Sequence, residues 1–146
     1  MKVSRSALLP FSAMQMYDVV ADIDAYPEFL NWCEGTEIVR STDAELVACL
    51  KVAYKKLRFQ FTTSNLNMPG ESIELKLVDG PFSNLHGIWA FKPLGEGASK
   101  VSIDMDFNLD TKLVPGVVGK VFEKIISSQL DAFQKRAQQL YGTSNA

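Results

Sequence analysis

The stretch that decides the fold is VSIDMDFNL, residues 101–109, in which apolar and polar residues alternate without a break. The same alternation runs through LRFQF at 57–61, and LHGIWAF at 85–91 places Leu, Gly, Trp and Phe on one face. Because side chains on a strand alternate between two faces, each segment has one apolar face. Alternation of this length is typical of antiparallel strands with one face on the core and one in water.

Turn-forming residues divide the middle of the chain into a meander of strands. We predict strands at 37–40, 45–54, 57–67, 72–78, 85–93 and 100–109, and a weaker first strand at 2–9. The intervening segments 41–43, 68–70, 79–81 and 95–97 are rich in Gly, Pro, Asp and Ser. Connections this short favour antiparallel neighbours.

A first helix is predicted from Ser12 to about Ile23 by its N-terminal signals. Ser12 with Gln15 three residues later has the spacing of a capping box, and Phe11 with Met16 that of a hydrophobic staple. Pro27 limits this helix, and residues 24–30 are predicted to form a second short helical turn.

A long helix is predicted from about Pro115 to Leu140, with Gly142 as its C-cap. Its apolar residues recur every three or four positions, which places them on one helical face. That face is formed by Phe122, Ile126, Leu130, Phe133, Ala137 and Leu140.

The order of elements predicts an α+β helix-grip fold. A curved antiparallel sheet of about seven strands would wrap the long C-terminal helix, with two short helices after the first strand. The 146 residues suit one domain, predicted at 1–142, followed by a flexible polar tail at 143–146.

Composition narrows the functional classes. The formal net charge of −2 gives no general affinity for nucleic acid, so an anionic partner would need a local basic patch. Cys33 and Cys49 are too few and too far apart for a disulfide framework or zinc site, and we expect reduced thiols. The N-terminus has no signal-peptide pattern, and no apolar run reaches the ~20 residues of a membrane-spanning helix. We expect a soluble, cytoplasmic protein, with peripheral contact at the inner membrane as an added prospect.

Three groups of residues in this order resemble a known family. The first is DAYPEFL at 24–30 followed by Trp32-Cys33, and the second is DGPF at 79–82 followed by the strand at 85–91. The third is Phe133, Arg136-Ala137 and Tyr141-Gly142. Together they resemble the START-like coenzyme-Q-binding proteins, whose bacterial branch includes the ribosome association toxin. Two positions depart from the family: Asn31 stands where a proline is frequent, and the segment Ser83-Asn84, predicted as a loop, lacks the usual basic residues.

The resemblance implies a non-enzymatic protein that binds a polyprenyl quinone in a hydrophobic cavity and supports respiratory electron transport as a carrier or chaperone. It also implies an alternative, a toxin that binds the large ribosomal subunit and blocks subunit joining. A second alternative is an enzyme of the cyclase or aromatase kind, which can share the fold. No prosthetic group is implied, and the quinone would be a ligand.

The apolar strand faces and the long helix supply the candidate cavity. Taken alone, each of the residues below is explained by a solid, filled core. For the set as a whole, the family resemblance favours a true cavity. The candidate cavity residues are Trp32, Phe59, Phe61, Leu75, Leu77, Phe82, Leu85, Trp89, Phe91, Ile103, Met105, Phe107, Val118, Phe122, Ile125 and Ile126.

Two further segments carry candidate roles. Val114, Gly116 and Gly119 lie in a glycine-containing apolar segment, either a lid that admits lipid and touches a membrane or an ordinary loop before the helix. The basic hairpin, defined as Lys51, Lys55, Lys56 and Arg58, is either a contact for ribosomal RNA or anionic lipid, or a charged turn that keeps edge strands apart.

The sequence offers no convincing catalytic or metal-binding set. His86 is the single histidine and should point away from the apolar face. Asp104 and Asp106 lie two apart on the polar face of a strand, where solvation is the simpler explanation. We therefore predict no catalytic residues and no metal site.

Overall fold

The computed structural model describes residues 1–142, and the predicted tail at 143–146 lies outside the described residues. The chain begins with strand β1, followed by helix α1, a 3-10 turn and helix α2. Six more strands and a long helix follow. The bounds are β1 Lys2–Leu9, α1 Ala13–Ala21, the 3-10 turn Ile23–Ala25, α2 Tyr26–Phe29, β2 Cys33–Ser41, β3 Glu45–Tyr54, β4 Leu57–Met68, β5 Ser72–Asp79, β6 Phe82–Pro93, β7 Ser99–Leu109 and α3 Val117–Tyr141.

The seven strands form one antiparallel sheet in the order β1-β7-β6-β5-β4-β3-β2. The strands from β2 to β7 form the predicted meander, and β1 pairs with β7 from Lys2 opposite Asp106 to Leu9 opposite Ser99. Helix α3 covers the apolar face of this sheet, and the core lies between them. The α+β helix-grip prediction is confirmed.

The capping box of α1 is present as predicted. The Ser12 hydroxyl accepts a hydrogen bond from the Gln15 backbone N–H at 3.1 Å, and the Ser12 N–H donates to Gln15 Oε1 at 2.9 Å. The helix ends at Ala21, two residues before the predicted Ile23. The reason is the non-helical backbone of Asp22, with φ −83° and ψ 73°, from which the chain enters the 3-10 turn.

Helix α3 begins two residues after the predicted Pro115, because Gly116 occupies its N-cap. At the other end the Gly142 N–H donates to Gln138 O at 2.9 Å, and Gly142 has a φ of 76°, which glycine adopts without strain. The predicted apolar face is buried from Phe122 to Ala137, but Leu140 is 53% exposed. The buried face therefore ends one turn before the helix does.

Two strands begin three or four residues before their predicted first residues. Strand β6 begins at Phe82, so Ser83-Asn84 belongs to a strand and not to a loop. Phe82 lies opposite Leu109 and Asn84 opposite Asn108 across a bulge, and Asn108 Nδ2 donates to Asn84 Oδ1 at 2.8 Å. Strand β2 begins at Cys33, opposite Val52, because β3 extends far enough to pair with it.

Candidate functional site

A cavity of about 70 Å3 lies between the apolar face of the sheet and α3. Many of the predicted residues surround it, from the strands and from α3. They are Trp32, Phe61, Leu75, Leu85, Trp89, Ile103, Met105, Phe122, Ile125 and Ile126. The volume has room for a few water molecules at about 30 Å3 each and is far below the ~300–1,000 Å3 of ordinary ligand pockets. Any larger ligand must therefore widen the cavity.

The remaining predicted cavity residues do not line it: Phe59, Leu77, Phe82, Phe91, Phe107 and Val118. Several of them belong to a phenylalanine cluster that we define as Phe59, Phe61, Phe82, Phe107 and Phe122. Its contacting rings have centroids 4.8 to 6.4 Å apart. Most of these ring pairs pack edge to face, whereas Phe59 and Phe61 stack, and together the rings fill space that the prediction assigned to the cavity.

The other three displaced residues pack elsewhere. Phe91 lies edge-on to Tyr17, with ring centroids 5.7 Å apart, so helix α1 covers it. Val118 is buried in the first turn of α3, and Leu77 is only partly buried on β5. The apolar face is therefore mostly solid core, with the cavity confined to its middle.

Sequence reasoning missed the part of the cavity wall that comes from α1, the 3-10 turn, the first residue of α2, strands β3 to β5 and one residue of α3. These residues are Val20, Ala21, Ile23, Tyr26, Leu46, Ala48, Leu50, Thr63, Asn65, Asn67, Ile73 and Gln129. Strand β3 reads ELVACLKVAY, whose nearly continuous apolar run hides which face is inward. On β4 the alternation that begins at Leu57 continues to Asn67. Extending the inward face along this alternation would have predicted that Thr63, Asn65 and Asn67 point toward the cavity.

The cavity wall carries buried polar groups but no ionisable acid or base apart from Tyr26. Thr63 and Asn65 are 5% and 4% exposed, and the Thr63 hydroxyl donates to Asn65 Oδ1 at 2.7 Å. The Tyr26 hydroxyl donates to Val20 O, and burial raises the pKa of Tyr26. Trp32 Nε1 and Gln129 Oε1 are buried without a hydrogen-bond partner.

An open groove of about 450 Å3 lies next to the cavity, between α2, α3 and Tyr54. Trp32 and Ile125 line both spaces and so form the wall between them. The groove mixes apolar and charged side chains. Those other than Trp32, Ile125 and Tyr54 are Phe29, Leu30, Asn31, Lys124, Ser128, Asp131, Ala132, Lys135, Arg136 and Gln139.

Two of the three cations in the groove have carboxylate neighbours. Lys135 Nζ lies 3.1 Å from Asp131 Oδ2, and Arg136 lies 3.2 Å from Glu28 Oε1. Lys124 lies over the Tyr54 ring, 5.8 Å from its centroid. The Lys124 ammonium group beside the phenol holds the pKa of Tyr54 below its usual range.

The basic hairpin lies at the tip of β3 and β4, where Tyr54 pairs with Leu57 and leaves Lys55 and Lys56 as the turn. Lys51 and Arg58 lie on the outer face of the sheet, because they alternate with cavity-side residues of the same strands. Arg58 Nε is 3.5 Å from Glu34 Oε1, so one of the four charges has a partner. The cations share one end of the molecule.

The predicted lid residues Val114, Gly116 and Gly119 do not line the cavity. A Cβ on Gly119 would lie 3.2 Å from Leu109 Cδ1, so the glycine permits close packing of α3 on the end of β7. Leu113 and Val117 beside them are exposed apolar side chains. A lid that opens or touches a membrane stays a prediction.

The other candidate groups have simple surroundings. His86 is exposed on the outer face, with Nε2 2.9 Å from Glu74 Oε2. Within residues 1–142 no three His, Cys, Asp or Glu side chains are grouped as a metal would require. Cys33 and Cys49 are buried free thiols, and burial raises the pKa of Cys33. In the same residues no helix has the length and hydropathy needed to cross a bilayer.

Comparison with known proteins identifies relatives of the whole chain. Residues 9–134 match the family model described as polyketide cyclase / dehydrase and lipid transport. The chain is 44% identical over 140 residues to the ribosome association toxin RatA of Pseudomonas aeruginosa, covering 96% of this chain and 97% of that protein. It is 27% identical over 143 residues to the mitochondrial coenzyme Q-binding protein COQ10 homolog B of Xenopus laevis, covering 95% of this chain and 59% of that protein.

Among solved structures the fold resembles that of the Zhui aromatase/cyclase from a Streptomyces species. The TM-score is 0.82 at 17% identity, covering 95% of this chain and 94% of that one. At this identity the likeness concerns the fold alone.

Proposed function

The chain belongs to the polyketide cyclase/dehydrase and lipid transport family, and on this premise we propose that it is a toxin that associates with the ribosome. In this proposal it binds the large subunit and blocks joining of the small one. One observation carries it: 44% identity along 96% of the chain and 97% of a relative named as a ribosome association toxin. The sequence resemblance alone favoured quinone binding first, and the identity reverses that order.

The basic hairpin is the surface we assign to ribosomal RNA. Lys55 and Lys56 project from the turn, with Lys51 on the outer face and Lys124 beside Tyr54. Clustered cations bind RNA phosphates by releasing counterions, and exposed aromatic rings stack on unpaired bases. The overall charge of −2 makes such local clustering necessary.

The experiment compares ribosome profiles on sucrose gradients after overproduction. Wild type should shift the profile toward free subunits, and a variant with Lys51, Lys55, Lys56 and Arg58 changed to Gln should not. The matched control changes Lys2, Lys92, Lys100 and Lys112 to Gln, which removes the same charge from other exposed positions. The control should act like wild type. An unchanged wild-type profile would contradict the toxin function, and equal action of both variants would contradict the assigned surface.

A second candidate function is the binding of a polyprenyl quinone. It is favoured by the mainly apolar enclosed cavity and by similarity to a protein named as coenzyme Q-binding. Burial of isoprene units would contribute several kcal/mol at about 25 cal/mol per Å2, against the cost of widening the cavity. The named relatives are toxins and binding proteins, so we propose no enzymatic activity.

The quinone proposal is tested by mass spectrometry of lipid extracted from the purified protein and by titration with decylubiquinone. Trp32 and Trp89 both line the cavity, so a quinone bound there should quench their fluorescence to saturation near one ligand per chain. Absence of both co-purified lipid and saturable quenching would exclude this candidate.

A further inference from the structure

The cavity holds polar groups that the protein itself does not satisfy. Trp32 is 6% exposed, and its indole Nε1–H has no partner among residues 1–142. Gln129 Oε1 on α3 is likewise buried and unpartnered. Both residues line the cavity, together with the hydrogen-bonded pair Thr63 and Asn65. Unsatisfied polar atoms are rare in native interiors, and two beside one cavity call for an explanation.

An apolar tail would gain nothing from these groups. A cavity meant for hydrocarbon alone would be more stable with Phe or Leu at such positions, since a buried polar atom without a partner destabilises the fold. The Trp32 N–H can only donate, so its partner must be an acceptor. Rotation of the Gln129 amide can turn either its oxygen or its nitrogen toward a ligand. The Asn65 oxygen accepts from Thr63, so the Asn65 NH2 group is the part left to donate to a ligand.

The partner should also be uncharged. No Asp, Glu, Lys, Arg or His lines the cavity. An ion placed there would lose its hydration without gaining a counter-charge, which is strongly unfavourable. A carbonyl, ether or hydroxyl oxygen meets both conditions.

We propose that the cavity recognises the neutral, oxygen-bearing head group of an otherwise apolar ligand, with Trp32 Nε1 donating to a ligand oxygen and Gln129 and Asn65 completing the contact. This inference rests on the second candidate function, quinone binding. It adds that the oxygen-bearing end of the ligand is the end bound inside the cavity. The rest of the ligand would pass Trp32 and Ile125 into the groove, whose apolar side chains include Phe29, Leu30 and Ala132. By this route only the head group has to fit inside the cavity, which must still widen from about 70 Å3 to admit it.

The test compares two probes that differ in oxygen content, decylubiquinone and decylbenzene, by calorimetric titration. Wild type should bind decylubiquinone at least tenfold more tightly. Trp32→Phe and Gln129→Met keep most of the side-chain volume but remove the polar atoms, and each should reduce the preference several-fold. Thermal unfolding of the unliganded Gln129→Met variant should occur at or above the wild-type temperature, because an unsatisfied group has been removed.

Ile126→Val is the matched control, since it alters the shape of the same wall without altering hydrogen bonding. It should change the affinities of both probes by a similar factor. Equal affinity of wild type for the two probes would overturn head-group recognition while leaving apolar ligand binding intact. Head-group recognition would also be overturned if Trp32→Phe and Gln129→Met both preferred decylubiquinone over decylbenzene as strongly as wild type does. Failure of both probes to bind would overturn the inference and the quinone function together.

Discussion

At the scale of single residues, Lys55 is the one non-glycine position with a positive φ among residues 1–142. Lys55 has a φ of 55°, the positive value that non-glycine residues avoid because Cβ approaches the following carbonyl. The two-residue turn between Tyr54 and Leu57 requires it. A lysine there is consistent with a charge needed at the hairpin tip.

We predict that Lys55→Gly raises the free energy of unfolding by about 1 kcal/mol, because glycine adopts positive φ without strain. Lys56→Gly removes the same charge one position later, where no such strain exists, and should be neutral or lower the stability. Urea unfolding of both variants provides the measurement. Equal shifts for the two would mean that charge removal, and not backbone conformation, governs the effect.

Gly80 lies at a position where only glycine fits. Its φ is 150°, and a Cβ there would lie 2.7 Å from Phe61 Cβ and 3.2 Å from Phe61 Cα. We predict that Gly80→Ala lowers the free energy of unfolding by about 2–3 kcal/mol, since both strain and overlap with a neighbouring strand result. Gly97→Ala, with φ 71° and open space around it, should cost only about 1 kcal/mol. A smaller loss at Gly80 than at Gly97 would contradict the close packing seen against Phe61.

At the scale of elements, α3 holds the sheet through a few aromatic contacts. The Phe122 ring lies 4.8 Å from Phe107 and 5.0 Å from Phe82, centroid to centroid. We predict that Phe122→Ala lowers the free energy of unfolding by about 3–5 kcal/mol, as expected for deletion of a buried ring.

The control on the same helix is Lys120→Ala, an exposed position where the change should stay within about 0.5 kcal/mol. Chemical denaturation followed by circular dichroism measures both. Comparable losses in the two variants would contradict the view that packing of the phenylalanine cluster governs the stability.

At the scale of the whole molecule, the basic hairpin and the buried polar groups of the cavity belong to different parts of the fold. None of Lys51, Lys55, Lys56 and Arg58 lines the cavity. Their charges are in solvent, where salt screens them over about 8 Å at physiological ionic strength. The two proposed activities should therefore be separable by substitution.

We predict that Trp32→Phe with Gln129→Met weakens decylubiquinone binding several-fold and leaves the ribosome profile as in wild type. The variant with Gln at the four basic-hairpin positions should bind decylubiquinone as wild type does and should lose the shift toward free ribosomal subunits. Each variant is measured in both assays, and residues distant from one another are expected to act additively. Loss of the proposed ribosome action in the cavity variant would contradict separate sites for the two proposed activities.

The sequence by itself determined the faces of the strands and the ends of some helices. Alternation through 101–109 placed Ile103, Met105 and Phe107 inside, because the two-residue period of a strand is a local property. The capping box at Ser12 and Gln15 was equally predictable, since its hydrogen bonds span three residues. The order of elements then left few arrangements besides the helix grip.

Only the tertiary structure decided where the cavity lies. Whether an inward ring lines a void or fills it depends on partners distant in the chain, as Phe107 shows by packing on Phe82 and Phe122. Trp32 separates the cavity from the groove only because α2 brings it against Ile125 of α3. Thr63 and Asn65 look like solvated strand residues until β3, β5 and α3 enclose them. Such positions follow from side-chain volumes and sheet curvature summed over the whole fold, which no local period encodes.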